Sequence, residues 1–552
     1  MFIILSVTLF SVALCQSPIV QFDAWGNDSV RVRIAPAGGA IVEPPYTPLL
    51  LPHPSFPGGP SSGSALTNGN MRITNDASSG VITATRVSDG ALLFSTKKIS
   101  FAQAAIGSHK GWVSASLSLT LPGSNRLYGL GEHRQLGKLD ATGFTEELSN
   151  SQYYPNSRGA DIVIPFFSAM PLGLGFLWNL PSYGFVDLNV NGTHTWSSYA
   201  TQNIDFWVST TPASPPTPAP TFGDPAATSP LASLLRNYVD AVGHATPMPY
   251  YVTGFWACKN RYRDQQQLLD VVSGYKDRGL PLSIITIDYM HWRNFGDWSF
   301  DPSCWPDPEG MVSTLKAQDV ELAVTFWPYV TPAGAYYNNF SAAGYFATNL
   351  TGAPMAVESW AGPMHLVDQF NPLVRSSVYA AFRENYGRIG IRTVWLDGSE
   401  PERGSQNFGA VRFSGGTDSE LGEAWVQQHV RAMAEGFTGD GYKSDEFFLL
   451  PRSTWAGNSR YSAGVWSGDI SSTFEELGIQ VRVLQQVALS GQALWTNDGG
   501  GYAGGDVADP VFRELVVRWL QASAFFPIMR LHGQRKGGPP PNQCGKTGGD
   551  NG

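Results

Sequence analysis

From about residue 250 the chain repeats one unit. A short stretch, apolar at nearly every position, ends on polar or acidic residues, and an amphipathic helical stretch follows. Eight such stretches stand at Val252–Trp256, Ile284–Asp288, Leu322–Trp327, Thr393–Asp397, Phe447–Arg452, Gly464–Trp466, Ala493–Asn497 and Ala524–Arg530. Strands apolar on both faces suit a parallel sheet covered by helices. Eight of them with intervening helices predict an α/β fold of the (β/α)8 TIM-barrel type rather than an open doubly wound sheet. No G-x-G-x-x-G follows a first strand, which disfavours a dinucleotide fold. The helices carry readable ends. Leu268, Leu269, Val272 and Tyr275 share a face before Gly279, and Asn371-Pro372 and Asp509-Pro510 pair a capping residue with a first-turn proline. Ser472 and Glu475 read as a capping box.

Residues 17 to about 211 follow a different rule. Short stretches at Val30–Ile34, Gly80–Thr85, Val113–Leu121 and Ile162–Phe167 are separated by Gly, Pro, Asn and Asp turns. Period-two alternation is plain in WVSASLSLTL at 112–121. This predicts an antiparallel β-sandwich ahead of the barrel. Residues 212–230, rich in Pro, Ala and Thr, read as a linker near the end of that domain. The expected organisation is a sandwich over 16–245, a barrel over 246–535 and a disordered tail over 536–552. With 60 glycines, 39 prolines and 17 tryptophans, the chain needs many ordered turns and a use for its indoles. A net charge of −9 argues against nucleic acid or an anionic membrane as partner.

Phe2–Leu14 is an apolar stretch too short for a comfortable membrane span, and Ala13 and Cys15 supply small residues for cleavage. Residues 1–15 are therefore read as a signal peptide, with a secreted or secretory-pathway product and no membrane contact after its removal. Sequons at Asn27, Asn191, Asn339 and Asn349 agree with that. Cys258, Cys304 and Cys544 would remain, and a Cys258–Cys304 disulfide is one pairing open to them. No cysteine and histidine spacing suggests zinc.

A barrel builds its site from the C-terminal ends of its strands. Here those ends read Asp288-Tyr289, Trp327-Pro328, Asp397-Gly398-Ser399-Glu400, Arg452-Ser453, Trp466-Ser467-Gly468-Asp469, Asn497-Asp498 and Arg530-Leu531-His532. A single acidic strand end is usually a cap or a solvated loop. Four in register, interleaved with Trp, suit a sugar: its C–H faces pack on indole and its hydroxyls need acceptors. Paired carboxylates across a cleft serve glycoside hydrolysis, and Asp397 and Asp469 are placed to face one another. A divalent-metal site made of the same aspartates competes, weakened by the scarcity of His. A Ser-His-Asp hydrolase is weaker, since no G-x-S-x-G elbow occurs.

Residues from about 126 to 533 resemble glycoside hydrolase family 31, the retaining α-glucosidases, α-xylosidases and relatives. The resemblance rests on RLYGLGEH (126–133), IITIDYMHW (284–292), GDWSFDPSCWPDPEGM (296–311), VWLDGSEPE (394–402), RSTWAG (452–457), VWSGD (465–469), DGGGY (498–502) and RWLQASAFFPIMRLHG (518–533). It implies Asp397 as nucleophile, Asp469 as general acid/base and Glu400 as a supporting acid. It implies Asp288, Arg452, Asp498 and His532 as ligands of the sugar hydroxyls, and Trp327, Trp395 and Trp466 as aromatic walls. The implied reaction is double displacement on an oligosaccharide or glycoside through a β-glycosyl ester. The two carboxyls should stand about 5–5.5 Å apart, and the proton affinity of Asp469 should be raised. No metal or organic cofactor is required.

The chain departs from the pattern in two places. Strand seven reads NDGGGY where relatives often carry an apolar residue after the acid and end on Phe. Family members also continue past the RxH motif into the last helix and C-terminal β domains, which the tail here does not supply. Substrate choice leans to α-xylosides or α-glucosides. An α-galactosidase, a transglycosylase and an inactive truncated carbohydrate-binding paralogue are the alternatives.

Overall fold

The computed structural model describes residues 17–54, 61–104, 108–132, 138–150, 162–189, 191–212, 229–359, 362–401 and 410–536. The N-terminal apolar stretch, nearly all of the Pro-rich stretch, His133, Glu402 and the tail from 537 lie outside them.

Two antiparallel sheets occupy the region up to Thr210. One runs in the order 61–62, 19–24, 29–35, 204–210, 174–178, 163–170, 126–131. The other runs 145–148, 184–188, 193–201, 113–120, 92–103, 82–86, 71–75, 65–68. Alternation does what the pattern requires: in Val113–Thr120, Ala115, Leu117 and Leu119 are buried and their neighbours are not. The inward faces share one core. Trp196 of the second sheet meets Phe176 and Trp178 of the first, with ring centroids 5.1 and 6.0 Å apart. Within the first sheet, Arg31 is fully buried and ties to Asp205 on the neighbouring strand at 2.6 Å, with Glu43 at 2.7 Å on the same guanidinium.

The second half is built on parallel strands. We label the eight short strands β1 (Phe255–Cys258), β2 (Ile284–Ile287), β3 (Glu321–Phe326), β4 (Thr393–Leu396), β5 (Phe448–Pro451), β6 (Val465–Trp466), β7 (Trp495–Thr496) and β8 (Met529–Leu531). Six of them form one parallel sheet in the order β5-β4-β3-β2-β1-β8. β6 and β7 form a separate parallel pair. Single parallel bridges, Leu449 with Ala463 and Gly499 with Leu531, join that pair to its neighbours. β2, β4 and β5 are buried at every residue, as strands covered on both faces must be.

Some boundaries move. The first strand begins at Phe255, because Tyr250–Thr253 coils into a 3-10 turn. The last begins at Met529, because the preceding helix, Pro510–Ser523, runs to the edge of that stretch. Asn371 and Asp509 cap their helices as expected. The box at Ser472 does not form. Thr473 is the cap, and its hydroxyl accepts from the Glu476 N–H. The helix therefore starts one residue later, at Phe474.

The two halves are fastened by that helix, Phe474–Leu489, which lies against strand Arg126–Gly131. The Gly131 N–H donates to Ser490 Oγ at 2.7 Å. Gly131 has φ +84°, and a Cβ there would stand 2.4 Å from the Ile162 carbonyl, so the residue must be glycine. Asn150 Nδ2 donates to Glu423 at 3.1 Å across the same junction.

Removing one partner of a buried ion pair strands the other charge in the interior. Asp205→Ala is expected to lower unfolding free energy by about 3–5 kcal/mol, read from a denaturant midpoint. A loss under about 1 kcal/mol would show that Glu43 alone holds Arg31.

Candidate active site

Because the strands run parallel, their C-terminal ends share one rim. Asp288 follows β2, Trp327 follows β3, Asp397 and Glu400 follow β4, and Arg452 follows β5. Trp466 ends β6 three residues before Asp469, Asp498 follows β7, and His532 follows β8.

Arg452 joins two of the acids. Its Nη1 lies 3.0 Å from Asp397 Oδ1. Its Nε and Nη2 grip both oxygens of Glu400, the second at 3.1 Å. Glu400 is fully buried, and Arg452 and Asp397 are nearly so. A planar guanidinium presents its donors in a fixed fork, so a carboxylate held on one edge aims the remaining nitrogen. The backbone reinforces this: the Arg452 N–H donates to Ser399 Oγ at 3.0 Å. The Gly398 N–H donates to Asp397 Oδ1 at 2.9 Å. Gly398 has φ +62°, with Trp327 and Tyr329 3.1 Å from where a Cβ would be. A side chain there would disturb the turn that points Asp397 inward.

Asp288, Asp498 and His532 gather on the other side. Burial, and then the charge of Asp397, push the Asp288 carboxyl well above its ordinary range. The Tyr289 N–H, donating to Asp288 Oδ1 at 2.7 Å, opposes them. Burial also raises Asp498, to about 6, against the pull of Arg530, whose Nη1 donates to Asp498 Oδ1. His532 Nε2 is 3.7 Å from Asp288 Oδ2. Burial, with Arg530 and Arg535 nearby, pushes the imidazole well below 6.5, so it is neutral at ordinary pH. Trp395 stands edge-on to His532 at 5.0 Å and to Trp466 at 5.4 Å. The Arg530 guanidinium lies 4.7 Å from the Trp395 ring centre and 5.6 Å from that of Trp466. Trp327 lies beneath Arg452, 5.9 Å from its guanidinium carbon, and 6.1 Å from Tyr289.

Asp469 is partly exposed at this rim. Its charge is the largest acting on the half-buried Tyr502, followed by those of Asp288 and Tyr289. Asp397 in turn acts on Asp288 and Asp498. The acids read from the sequence therefore form one electrostatic cluster.

Two residues of that cluster were given no role by the sequence. Arg530 lies inside the RLHG motif, but the motif directs attention to its histidine. A cation two residues before an expected sugar ligand, next to an acid-rich rim, was the available signal. Tyr502 is the last residue of DGGGY, where the tyrosine was read only as a departure. The cysteines correct an expectation: Cys304 is disulfide-bonded while Cys258 is a free buried thiol, so these two do not pair. Cys258 ends β1 and faces Arg530, and burial raises it well above 9. No group of three or more His, Cys, Asp or Glu among the described residues is arranged to hold a metal ion.

A carboxyl with a native pKa of about 6 holds its proton where the unfolded chain, at 3.8, has lost it. Asp498 therefore lowers folding stability as pH rises from about 4 to about 6, by on the order of 3 kcal/mol. His532 acts with the opposite sign below its unfolded value and is unchanged in an Asp498→Asn variant. Urea unfolding of both proteins across that window should show the wild type falling relative to the variant. Parallel curves would contradict the raised carboxyl.

A family model described as the glycosyl hydrolases family 31 TIM-barrel domain matches residues 245–545. An "uncharacterized family 31 glucosidase ORF2" of Pseudescherichia vulneris is 34% identical over 411 residues, covering 74% of this chain and 72% of that protein. An alpha-xylosidase of Saccharolobus solfataricus is 29% identical over 429 residues, and the match spans about half, 52%, of its length. Among solved structures, a family 31 alpha-xylosidase from a soil metagenome, complexed with xylose, superposes with a TM-score of 0.81 at 31% identity. It covers 95% of this chain and 76% of its own. With the acid-rich rim, these matches leave one assignment: the chain is a glycoside hydrolase and belongs to family 31.

Proposed function

We propose that the protein is a retaining, exo-acting α-glycosidase that releases terminal α-xylose or α-glucose by double displacement. The observation that carries this is the placement of Asp397. It is buried at the end of β4, ionically paired to Arg452 at 3.0 Å, and within the electrostatic reach of Asp288 and Asp498. A neighbouring guanidinium favours the ionised form that a nucleophile requires. Asp469 is the acid and then the base. A partly exposed carboxyl can meet both the leaving oxygen and the incoming water. Asp397 attacks the anomeric carbon as Asp469 protonates the departing oxygen. Asp469 then takes a proton from water, which cleaves the ester and restores the α configuration. The two carboxyls should stand about 5–5.5 Å apart.

Asp288, Asp498, His532 and Arg452 hold the sugar hydroxyls in this reading, with Trp327, Trp395 and Trp466 behind them. Asp498 Oδ2 and His532 Nδ1 are buried without a hydrogen-bond partner among the described residues, and sugar hydroxyls would complete them. The sandwich over 16–245 and a closed eight-stranded barrel over 246–535 are the architecture we infer. The six-stranded sheet, the β6–β7 pair and the two bridges between them support closure. The named relatives include alpha-xylosidases, and xylose is the ligand of the metagenome structure, so α-xyloside is our first choice. One CH2OH group changes binding by only about 1–3 kcal/mol, which keeps α-glucoside within reach. An inactive binding paralogue is not favoured, because both aspartates and the Arg452 grip are in place.

Matched nitrophenyl α-xyloside, α-glucoside and α-galactoside test this. One of the first two should turn over, and Asp397→Asn should lose at least about 10⁴-fold. A folded protein that hydrolyses none of them, or an active Asp397→Asn, would overturn the reading.

We also infer secretion. The disulfide at Cys304, the apolar N-terminal stretch and three exposed sequons, Asn27, Asn191 and Asn339, support it. Enzymatic removal of N-glycans from protein secreted by a eukaryotic host should lower its mass by one or more glycans. An unchanged mass would count against glycosylation at these sites.

A further inference from the structure

The chain leaves β2 through a turn, Asp288-Tyr289-Met290-His291. Met290 has φ +65°, a left-handed conformation that disfavours any residue with a Cβ. His291 holds this turn with its ring. Its Nδ1 lies 3.0 Å from the Asp288 carbonyl oxygen, and its Nε2 lies 2.7 Å from the Tyr386 hydroxyl. The His291 carbonyl accepts from the Asp301 N–H at 2.8 Å. Trp292, Phe300 and Tyr386 box the buried imidazole, with ring centroids 4.5, 5.3 and 5.7 Å away.

The partners fix which nitrogen carries the hydrogen. Burial pushes the imidazole down to about 4, so at ordinary pH it is neutral and has one N–H. A carbonyl can only accept, so that hydrogen is on Nδ1. Nε2 is then an acceptor, and the Tyr386 hydroxyl donates to it. Burial raises the Tyr386 phenol well above its ordinary value, so it keeps the hydrogen it gives. Tyr386 is itself anchored at the end of helix Pro372–Asn385, where its N–H donates to the Phe382 carbonyl at 2.8 Å.

The Asp288 carbonyl and the Tyr289 N–H belong to one peptide unit. That unit is planar and trans, so its C=O and N–H point in opposite directions. His291 holds the oxygen end. The hydrogen end donates to Asp288 Oδ1 at 2.7 Å. Turning the plane would move both ends together. The other carboxylate oxygen, Oδ2, is left on the side of His532, 3.7 Å from its Nε2.

We propose that His291 is a positioning residue for Asp288: donating to the carbonyl from Nδ1 and locked from behind by Tyr386, it sets the peptide plane whose N–H holds Asp288 Oδ1, and so keeps Oδ2 turned to a sugar hydroxyl. The assignment rests on the reading of Asp288 as a sugar ligand. His291 touches no substrate and transfers no proton. Each link, from hydroxyl to imidazole to peptide to carboxylate, passes on orientation alone.

The nitrophenyl α-glycoside that turns over is compared with analogues that each lack one ring hydroxyl. The loss in kcat/KM on removing a hydroxyl is a ratio within one enzyme, so the amount of folded protein cancels. Wild type should lose about 10²-fold for a hydroxyl held by a carboxylate, and Asp288→Asn should shrink one such loss by about tenfold. His291→Leu should shrink the same loss by about fivefold and leave the others within about twofold. His291→Asn, whose amide can donate from near the Nδ1 position, should stay within about twofold of wild type. Tyr386→Phe keeps the ring contacts and should shrink that one loss by about twofold or more. It carries the same test where His291→Leu does not fold. If Asp288→Asn shrinks one loss while His291→Leu and Tyr386→Phe shrink none, or all alike, His291 is a packing residue and the proposal is overturned. If Asp288→Asn leaves every loss as in wild type, the reading of Asp288 as a sugar ligand fails, and the proposal with it.

Discussion

The grip of Arg452 on Glu400 is the constraint around which the pocket is arranged. A guanidinium has one plane and a fixed set of donors. With two of its nitrogens on a fully buried carboxylate, the third has one direction left, and it meets Asp397. Glu400 need not touch a substrate to matter. Without it, Arg452 would keep its charge but not its aim. The arrangement also explains the interval between the two acids. A turn with φ +62° at Gly398 lets residues 397 and 400 approach one arginine from two sides, and that conformation favours glycine.

Charge is then balanced locally rather than across the molecule. Asp397 pairs with Arg452, and Asp498 with Arg530. Asp288 has no guanidinium bonded to it among the described residues and carries a strongly raised proton affinity instead. Burying several acids in one pocket forces such differences, since like charges at close range cannot all ionise. At Asp498 burial outweighs Arg530 and raises the carboxyl to about 6, and at Asp288 burial, then the charge of Asp397, push it well above its ordinary range. His532, neutral beside Asp288, adds no further charge to that side. A pocket with graded protonation offers a sugar both donors and acceptors, which a set of four ionised carboxylates would not.

Much of this was legible in the sequence because strand and motif coincide. The apolar stretches located β2 to β5 closely, since a strand covered on both faces shows as an unbroken apolar word. Their polar endings then named Asp288, Asp397, Glu400 and Arg452. The ends of the parallel region were harder. Tyr250–Thr253 and Ala524–Phe526 are apolar without being strands, and periodicity over so few residues cannot tell a turn or a helix end from a strand. The capping box slipped by one residue because Ser471, Ser472 and Thr473 are chemically alike, and tertiary packing chose among them. Arg530 and Tyr502 were hidden for another reason. Each meets a partner from a distant loop, Asp498 for one and Asn260 for the other, and no local spacing encodes those meetings.

The N-terminal sheets enter the same argument through Phe474–Leu489. That helix follows the loop bearing Asp469, and its far end is held by the Gly131–Ser490 hydrogen bond. Its near end is set by Thr473, one residue beyond Ser472, whose N–H is laddered to the loop that carries Tyr502. The helix is therefore a strut between the sheet region and the rim. At one end it is anchored to a strand whose glycine admits no side chain. At the other it fixes where the β6 loop turns back towards the pocket. The sheet region can in this way set the position of the most exposed acid of the cluster.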